Sequence, residues 1–298
     1  MNSPATTART GLLQALGAAV VWGIIPLYFK ALASIDAGEL VAHRVLWSLP
    51  LLLAILWWRT ELPAIRAALA VPRTRGLLML TSLFIAGNWI VYVLAVNGGH
   101  VLAASLGYFI SPLLTVMLGA LVLGERLQRL QWLSVAIAGV GVAVLGVGAW
   151  ETLWISLALA GLWALYSLAR RVAVVDAIPG LAVETGLLLP VALGWIGWQM
   201  AQGQAHLFGQ GGWTDVLLVG AGAVTALPLL LFNLAVKKIS FATIGLIQYI
   251  APTIQFVLAI FLFREPLTTA HLVAFPLIWA GLALYSWSAW RTYAQTAR

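Results

Sequence analysis

Residues 101–126 read VLAASLGYFISPLLTVMLGALVLGER, and residues 241–266 read FATIGLIQYIAPTIQFVLAIFLFREP, a second version of the same stretch at an offset of 140 residues. Leucine, valine and alanine coincide by chance in a chain this apolar, so only rarer residues test whether the repeat is real. A period this long that occurs twice predicts two tandem halves and not a solenoid. The same offset aligns five rarer pairs: Pro112 with Pro252, Glu125 with Glu265, Gly141 with Gly281, Pro50 with Pro190, and Lys30 with Arg170.

The composition places both halves in a lipid bilayer. Of the 298 residues, 62% are hydrophobic and 8% are charged, and the mean hydropathy is +1.00. A soluble domain is about 45–50% apolar and about 25% charged. The length allows roughly ten spans of about 20 residues each. Because the chain contains no cysteine, disulfides, thiolate metal sites and thiol nucleophiles are excluded.

Apolar runs of spanning length predict an all-α polytopic membrane protein with ten transmembrane helices. The runs cover residues 11–31, 39–58, 76–96, 101–123, 130–148, 152–170, 180–200, 213–236, 242–263 and 270–290. They divide the chain into a cytoplasmic tail over 1–10, a first five-helix repeat over 11–148, a second over 149–290, and a cytoplasmic tail over 291–298.

The basic residues predict how the chain is oriented in the membrane. With a cytoplasmic N-terminus, thirteen of the sixteen lysines and arginines fall on the inside, and only Lys30, Arg44 and Arg264 lie on or near the outside. The positive-inside rule therefore places both termini in the cytoplasm. The basic residues are scattered over several turns and tails and form no continuous stripe, so the net charge of +7 does not indicate nucleic-acid binding.

The number of helices in each half predicts an inverted repeat. Five is odd, so the second half must cross the membrane in the opposite direction to the first. Inverted repeats are a recurring plan of secondary transporters, whose two halves exchange inward-open and outward-open shapes around a site near the midplane. The repeat therefore favours a secondary transporter.

Pro112 and Pro252 are the candidate hinges of such a motion. A proline inside a helix removes a backbone hydrogen bond and bends the helix. Both prolines lie near the middle of predicted spans, beside polar or aromatic residues. The alternative is that proline is simply commoner in membrane helices than in soluble ones.

Polar and aromatic side chains inside the predicted spans are candidates for the substrate pathway. Buried amides and hydroxyls are costly in lipid unless they are paired, so they are expected to face the bundle interior or a wet cavity. The alternative is that they only join neighbouring helices, and that the deep aromatic residues only pack. The predicted uncharged pathway residues are Trp22, Tyr28, Asn88, Trp89, Tyr92, Tyr108, Ser111, Trp163, Tyr166, Asn233, Gln248, Tyr249 and Gln255.

Three ionisable residues complete the predicted pathway. His43 and Arg44 lie about one turn into the outer side of the second helix, and Glu184 lies as far into the inner side of the seventh. Intramembrane charges are functional candidates by default, with snorkelling to the boundary as the alternative. The inversion places Arg44 and Glu184 at opposite ends of the bundle, so the two are not expected to pair.

Glu125 and Glu265 end the two repeated stretches and are expected to be structural. Each is predicted to supply a turn whose carboxylate caps the next helix, because a negative charge is favourable at a helix N-terminus.

The sequence contains no motif for catalysis or for metal or nucleotide binding. HExxH, the Walker loop and GxSxG are absent, and the four histidines have no metal-ligand spacing. The expectation is a protein that is not an enzyme and that needs no cofactor or metal. Without a nucleotide site, active transport would draw on an ion or substrate gradient, and protons are the candidate ion.

Five segments carry a resemblance to a known family: AVVWGIIPLYFK, HRVLWS, GNWIVYVLAVNGGHVLAASLGYFISPLLTVMLGALVLGERLQRLQW, ETGLLLPVAL and IGLIQYIAPTIQFVLAIFLFREP. They are similar to the RarD branch of the EamA family, in the drug/metabolite transporter superfamily. The resemblance covers nearly the whole chain and implies a ten-helix inverted-repeat carrier in the bacterial inner membrane. The branch carries a label linked to chloramphenicol sensitivity, and relatives in the superfamily export amino acids and other small metabolites. One departure is Arg264, where glycine is expected before the glutamate.

Together these features predict a secondary transporter that exports small amphipathic metabolites, amino acids or drugs by alternating access. Its expected partners are a small-molecule substrate and the lipid bilayer, and all helices but the fifth and tenth are expected to line its cavity. Two alternatives stay open. An integral-membrane enzyme acting on lipid-linked substrates would need a clustered acid, base or metal site, and a non-transporting scaffold would lack a cavity at the midplane. The oligomeric state stays open as well.

Overall fold

The chain folds as a bundle of helices. The computed structural model describes residues 4–124, 127–203, 212–236, 238–239 and 247–296, and every regular element in these residues is a helix. A segment that crosses lipid must satisfy its own backbone hydrogen bonds, and a helix does so within the segment. The helices are α1 (Pro4–Ala31), α2 (Ala37–Trp58), α3 (Leu62–Ala70), α4 (Pro72–Asn97), α5 (Val101–Leu123), α6 (Arg129–Gly148), α7 (Trp150–Val172), α8 (Ala177–Ala201), α9 (Trp213–Val236), α10 (Ile250–Val257) and α11 (Thr269–Thr296).

Nine of the helices in the described part of the chain are long and apolar enough to cross a membrane, namely all except α3 and α10. Helix α10 continues as a π-helical turn over Leu258–Leu262, and together they form a shorter apolar segment. The predicted ninth span, 242–263, begins at residues 242–246, which lie outside the described part of the chain. The count of ten spans therefore stays a prediction.

Two ends of the nine long helices lie more than four residues from the predicted ones, and one short helix is additional. Helix α1 begins at Pro4, where proline suits the first turn because its missing N–H would be unpaired there anyway. Helix α11 continues to Thr296, past the predicted end at 290. The short helix α3 was not predicted at all. It packs on α8 and α4.

The contacts between helices repeat across the two halves. Helix α1 packs against α9 and α4 packs against α7, while α5 lies on α7 and α1 lies on α10. Helix α2 packs against both α8 and α9, and α6 pairs with α11 away from the centre. Each of the first five predicted spans can be matched to the span five positions later. The contact of α1 with α9 then corresponds to that of α7 with α4, and the contact of α5 with α7 corresponds to that of α10 with α1.

The contact between α6 and α11 shows this exchange at the level of single residues. A Cβ atom at Gly141 would lie 3.0 Å from the carbonyl oxygen of Ala274, and a Cβ at Gly281 would lie 2.7 Å from the carbonyl oxygen of Ser134. The offset of 140 residues converts the first contact into the second. A reciprocal contact of this kind is the property of a two-fold axis.

Glu265 caps a helix, but not the one predicted. Its carboxylate accepts hydrogen bonds from the backbone N–H groups of Val101 at 2.7 Å and Leu102 at 2.8 Å, at the start of α5. These N–H groups have no partner within their own helix. The following helix, α11, has its own cap, since the N–H of His271 donates to the hydroxyl of Thr268. The prediction that Glu265 caps the next helix is therefore wrong, and Glu125 lies outside the described residues.

The position of Glu265 also affects its titration. Burial raises the pKa of the Glu265 carboxyl above its usual value, although the N–H groups of Leu102 and Val101 act in the opposite direction. Glu265 thus joins the end of α10 to the start of α5 through a carboxylate that is largely shielded from water.

Candidate binding cavity

A cavity of about 360 Å³ lies inside the bundle. Residues of α1, α2, α4, α5, α7, α8, α9 and α10 line it, while the paired helices α6 and α11 contribute no lining residue. The size is near the lower end of the roughly 300–1,000 Å³ typical of ligand pockets. The cavity is therefore suited to a small molecule.

Most of the predicted pathway residues line this cavity. The structure brings together Trp22, Arg44, Asn88, Trp89, Tyr92, Tyr108, Ser111, Pro112, Trp163, Tyr166, Gln248, Tyr249, Pro252 and Gln255. Three others, Tyr28, His43 and Glu184, do not line it. The side chain of Asn233 lies outside the described part of the structure.

Arg44 forms a cationic centre on one wall. Its side chain is buried at 5% exposure, and its Nε donates to the hydroxyl of Thr225 on α9 at 3.1 Å. The guanidinium carbon lies 4.5 Å from the ring centre of Trp89 and 5.1 Å from that of Phe29. Aromatic faces attract a cation through their quadrupole. Arg44 is thus held inside the bundle and does not snorkel to the boundary.

Glu184 forms a second polar centre with partners from two other helices. Its carboxylate is fully buried and accepts hydrogen bonds from the hydroxyl of Thr81 at 2.6 Å and from that of Tyr166 at 3.2 Å. The Nε of Arg170 lies 3.7 Å from the same carboxylate. Glu184 stands behind Tyr166 and Arg170, both of which line the cavity. Any influence of Glu184 on a bound ligand therefore passes through these two neighbours.

A row of aromatic rings joins the two polar centres. Beginning beside Arg44, ring centres follow each other at 5.9 Å from Phe29 to Tyr92, 5.7 Å to Tyr108, 6.4 Å to Trp163 and 5.8 Å to Tyr166. We call these five residues the aromatic wall. Because its rings come from α1, α4, α5 and α7, the wall fixes the relative positions of four helices. It also offers a continuous apolar surface with polar edges.

Asn88 fixes the position of Tyr108 in the aromatic wall. Its side-chain oxygen accepts from the hydroxyl of Tyr108 at 3.2 Å, and its nitrogen donates to the carbonyl of Leu159 at 3.3 Å. Both groups of this buried amide are thus paired across helices. The sequence left open whether such residues line the pathway or only join helices. Asn88 does both, because it lines the cavity and joins α4 to α5 and α7.

The two candidate hinge prolines have different surroundings. Pro112 lies in the interior of α5, where it removes a helical hydrogen bond. Pro252 is the third residue of α10, and Gln248 and Tyr249 form a turn immediately before it. A first-turn N–H has no helical partner in any case, so Pro252 does not break the described helix. Its carbonyl accepts from the hydroxyl of Ser105 on α5 at 2.8 Å, which ties α10 to α5.

Three of the predicted pathway residues form hydrogen bonds within or between helices. Only one of them, Gln255, also lines the cavity. Tyr28 donates its hydroxyl to the carbonyl of Leu217 and so joins α1 to α9. His43 is buried, and its Nδ1 accepts from the indole N–H of Trp47 at 3.2 Å in the same helix. Gln255 lines the cavity and donates to the carbonyl of Trp22 at 3.0 Å.

The sequence did not single out several residues that complete the site. Arg170 counted only as one of the cytoplasmic basic residues, although its match to Lys30 across the repeat marked it as unusual. Thr225 and Thr81 carry no signal in a chain rich in small residues. Ser167 and Phe29 line the cavity as well. Only the packing of helices distant in the chain brings these residues together.

The side chains that line the cavity are suited to binding a small molecule. Among the residues that could be searched, no group of three or more histidine, cysteine, aspartate or glutamate side chains could hold a metal ion. The cavity offers the guanidinium groups of Arg44 and Arg170, aromatic faces and a few amides. These groups recognise a ligand by charge, shape and stacking.

Apolar helices of spanning length packed around a cavity are the architecture expected of a polytopic membrane transporter. The comparisons with known proteins agree. The model of the EamA-like transporter family matches the chain twice, over residues 9–147 and 150–287. The chain belongs to the EamA family and is of the RarD type.

Relatives from several bacteria match the chain over nearly its full length. An "uncharacterized transporter" of Pseudomonas aeruginosa is 45% identical, with 95% of each chain covered. Protein RarD of Escherichia coli is 36% identical, with 99% of each covered. The "chloramphenicol-sensitive protein RarD" of Pseudomonas aeruginosa is 31% identical, with 97% of each covered. The protein is therefore a multi-pass transporter of the bacterial inner membrane.

A solved crystal structure shares the fold. It superposes with a TM-score of 0.60 at 21% sequence identity and covers 93% of this chain and 97% of its own. At this identity the likeness concerns the fold alone.

Proposed function

We propose that the protein is a secondary transporter that exports small amphipathic metabolites, amino acids or drugs by alternating access. The observation that carries this proposal is the cavity, because it lies between the two halves and takes lining residues from four helices of each. An enzyme would need an acid, base or metal cluster at the same place. A scaffold would need no cavity.

The proposed mechanism treats the halves as inverted five-helix repeats over 11–148 and 149–290, with ten spans and both termini in the cytoplasm. Three observations support this arrangement. The chain repeats itself at an offset of 140 residues, the family model matches once in each half, and the contacts of Gly141 and Gly281 exchange under that offset. Two similar halves related by a pseudo-two-fold axis in the membrane plane can exchange their conformations, which is how inverted repeats open a site to each side in turn.

Pro112 and Pro252 are proposed to serve as the hinges, in two different ways. Pro112 weakens the middle of α5, while Pro252 follows the turn at Gln248 and Tyr249 at the start of α10. The bond from Ser105 to the Pro252 carbonyl links the two helices. Bending of one is therefore expected to move the other.

The energy for export is proposed to come from an ion gradient, with protons as the coupling ion. Glu184 is the group that supports this, because it is a fully buried carboxylate hydrogen-bonded to Tyr166, which faces the cavity. A substrate that displaces Tyr166 or Arg170 would alter the surroundings of the carboxylate.

Reconstituted protein tests the proposal. Liposomes that contain the purified protein and an unlabelled compound should accumulate the labelled form of that compound by counterflow. The compounds to screen are amino acids and phenicol-type drugs. Trp163→Ala, which opens the aromatic wall, should reduce the rate. Trp57→Ala, which removes an exposed tryptophan that does not line the cavity, should not. Correctly folded protein that moves no compound would contradict the transporter proposal.

A further inference from the structure

We propose that the cavity recognises small organic anions, with Arg44 binding a carboxylate group and the aromatic wall holding an apolar body. This inference rests on the proposed transport function and names the substrate class that the function leaves open. It starts from a charge that the described protein does not neutralise.

Arg44 has no acidic partner in the part of the chain that the structure describes. The ion pairs found there are Arg59 with Glu61 and Arg170 with Glu184. Burial of an unpaired charge is unfavourable even after the protein relaxes around it. A site that keeps such a charge beside a cavity is therefore most stable when an anion enters.

The guanidinium keeps a hydrogen-bond donor that the described protein does not use. Nε is engaged with Thr225, whose own hydroxyl donates to the carbonyl of Ala221 at 2.8 Å. The rings of Trp89 and Phe29 contact the guanidinium group. Nη1 is buried and has no hydrogen-bond partner. A planar guanidinium fixed in this way matches the geometry of a carboxylate, which can accept two parallel hydrogen bonds.

The other charged residues of the site point to an anion with a single charge. At the far end of the aromatic wall, Arg170 and Glu184 compensate each other at 3.7 Å. Within the described lining, Arg44 is then the cation whose charge remains. One carboxylate would neutralise it, whereas a ligand with a net positive charge would meet repulsion.

The rest of the ligand is defined by the rings beside Arg44. Tyr92, Tyr108 and Trp163 continue the wall away from Phe29 and expose apolar faces along a cavity of about 360 Å³. Offset stacking and edge-to-face contacts favour an aromatic body, and a branched aliphatic body would bury similar area. The substrate class is thus an arylalkyl or branched-chain monocarboxylate.

A pair of matched compounds tests the inference on the unaltered protein. Purified full-length protein in detergent is titrated with 3-phenylpropionate and with 3-phenylpropanamide, which has the same body without the charge, by isothermal titration calorimetry. The carboxylate should bind at least about tenfold more tightly, since a charge-assisted bond to arginine outweighs a neutral one by about this factor. Equal affinities would overturn the inference, and this comparison does not depend on any variant folding.

Variants then assign the preference to one residue. Arg44→Gln should abolish the difference between the acid and the amide, and Arg44→Lys should keep part of it. Arg66→Gln removes an exposed arginine from α3 and should leave the difference unchanged. A folded Arg44→Gln protein that still prefers the acid would overturn the assignment. Competition by inorganic phosphate as strong as that by phenylpropionate would overturn the role of the apolar body.

Flux measurements separate this inference from the transport proposal. Acid binding that depends on Arg44, without counterflow of any compound, would support the anion site and contradict the transporter. Counterflow of neutral compounds by a protein with no preference for the acid would support the transporter and overturn the anion site.

Discussion

Arg170 and Glu184 show how a carboxylate is kept inside an apolar bundle. Glu184 is fully buried, and Thr81, Tyr166 and Arg170 surround its two oxygens. Each partner comes from a helix other than α8, so the carboxylate joins α4 and α7 to α8. The same contacts that satisfy the charge therefore hold three helices together at one end of the cavity.

This arrangement gives a prediction for stability. Glu184→Leu leaves the guanidinium of Arg170 without its partner, and breaking a buried pair on one side costs about 3 kcal/mol or more. The temperature of unfolding in detergent should fall clearly. The double variant Glu184→Leu with Arg170→Met replaces both charges by apolar groups, and it should recover most of the loss because such replacements are often neutral.

Counterflow by the double variant separates stability from function. A stable double variant that no longer transports would show that the pair serves the pathway. If Glu184→Leu alone melts at the temperature of the wild type, the pair does not hold the helices together as described.

At the scale of elements, the packing of α6 against α11 depends on two glycines. Alanine is a better helix former than glycine by about 1 kcal/mol, so Gly→Ala normally stabilises a helix. At Gly281 the added methyl group would lie 2.7 Å from a backbone oxygen of the facing helix, and at Gly141 it would lie 3.0 Å from the equivalent one. Backbone atoms cannot move away cheaply.

Gly141→Ala and Gly281→Ala should therefore each destabilise the protein, by about 1–3 kcal/mol as expected for overpacking. Gly139 is the control on α6, because nothing lies within 4 Å of a Cβ added there. Gly139→Ala should be neutral or stabilising. Thermal unfolding of the three variants in the same detergent makes the comparison, and an equal effect at all three positions would mean that the α6 and α11 contact is not close.

The helices that the sequence predicted are those that contain a long run of apolar residues. Nine predicted spans correspond to long helices, because a run of apolar residues in lipid leaves the backbone no alternative to a helix. The short helix α3 has no such constraint. The turn at Gln248 and Tyr249 was not predicted either, because its residues are compatible with a continuous helix.

Single residues of the cavity lining could also be predicted from the sequence. Buried polar and aromatic residues inside spans have to face the interior, so residues such as Asn88 and Tyr108 could be named from the sequence alone. Their partners could not be named. Thr81 lies 103 residues from Glu184, and Arg44 lies 181 residues from Thr225. Glu265 likewise reaches back to Val101. These contacts depend on how helices meet in space, which local patterns do not encode.

At the scale of the whole molecule, the proposed topology makes a prediction about the termini. Ten spans place both ends on the same side of the membrane, and the distribution of basic residues places that side in the cytoplasm. Green fluorescent protein fused after Arg298 should fluoresce, and alkaline phosphatase fused there should be inactive. The reverse result would contradict the proposed cytoplasmic position of the C-terminus, and together with a cytoplasmic N-terminus it would contradict the even number of spans.

The central claim is that one cavity opens to each side of the membrane in turn, and the absence of cysteine from the chain allows a direct measurement. Ser111→Cys introduces a single thiol into the cavity lining, and Gly139→Cys introduces one on the exposed face of α6. A membrane-impermeant maleimide is applied to right-side-out and to inside-out vesicles. We expect labelling of Ser111→Cys from both sides, at rates that substrate changes in opposite directions. Gly139→Cys should stay unlabelled, because the proposed fifth span turns this face towards lipid. Labelling of Ser111→Cys from one side only, with or without substrate, would contradict it.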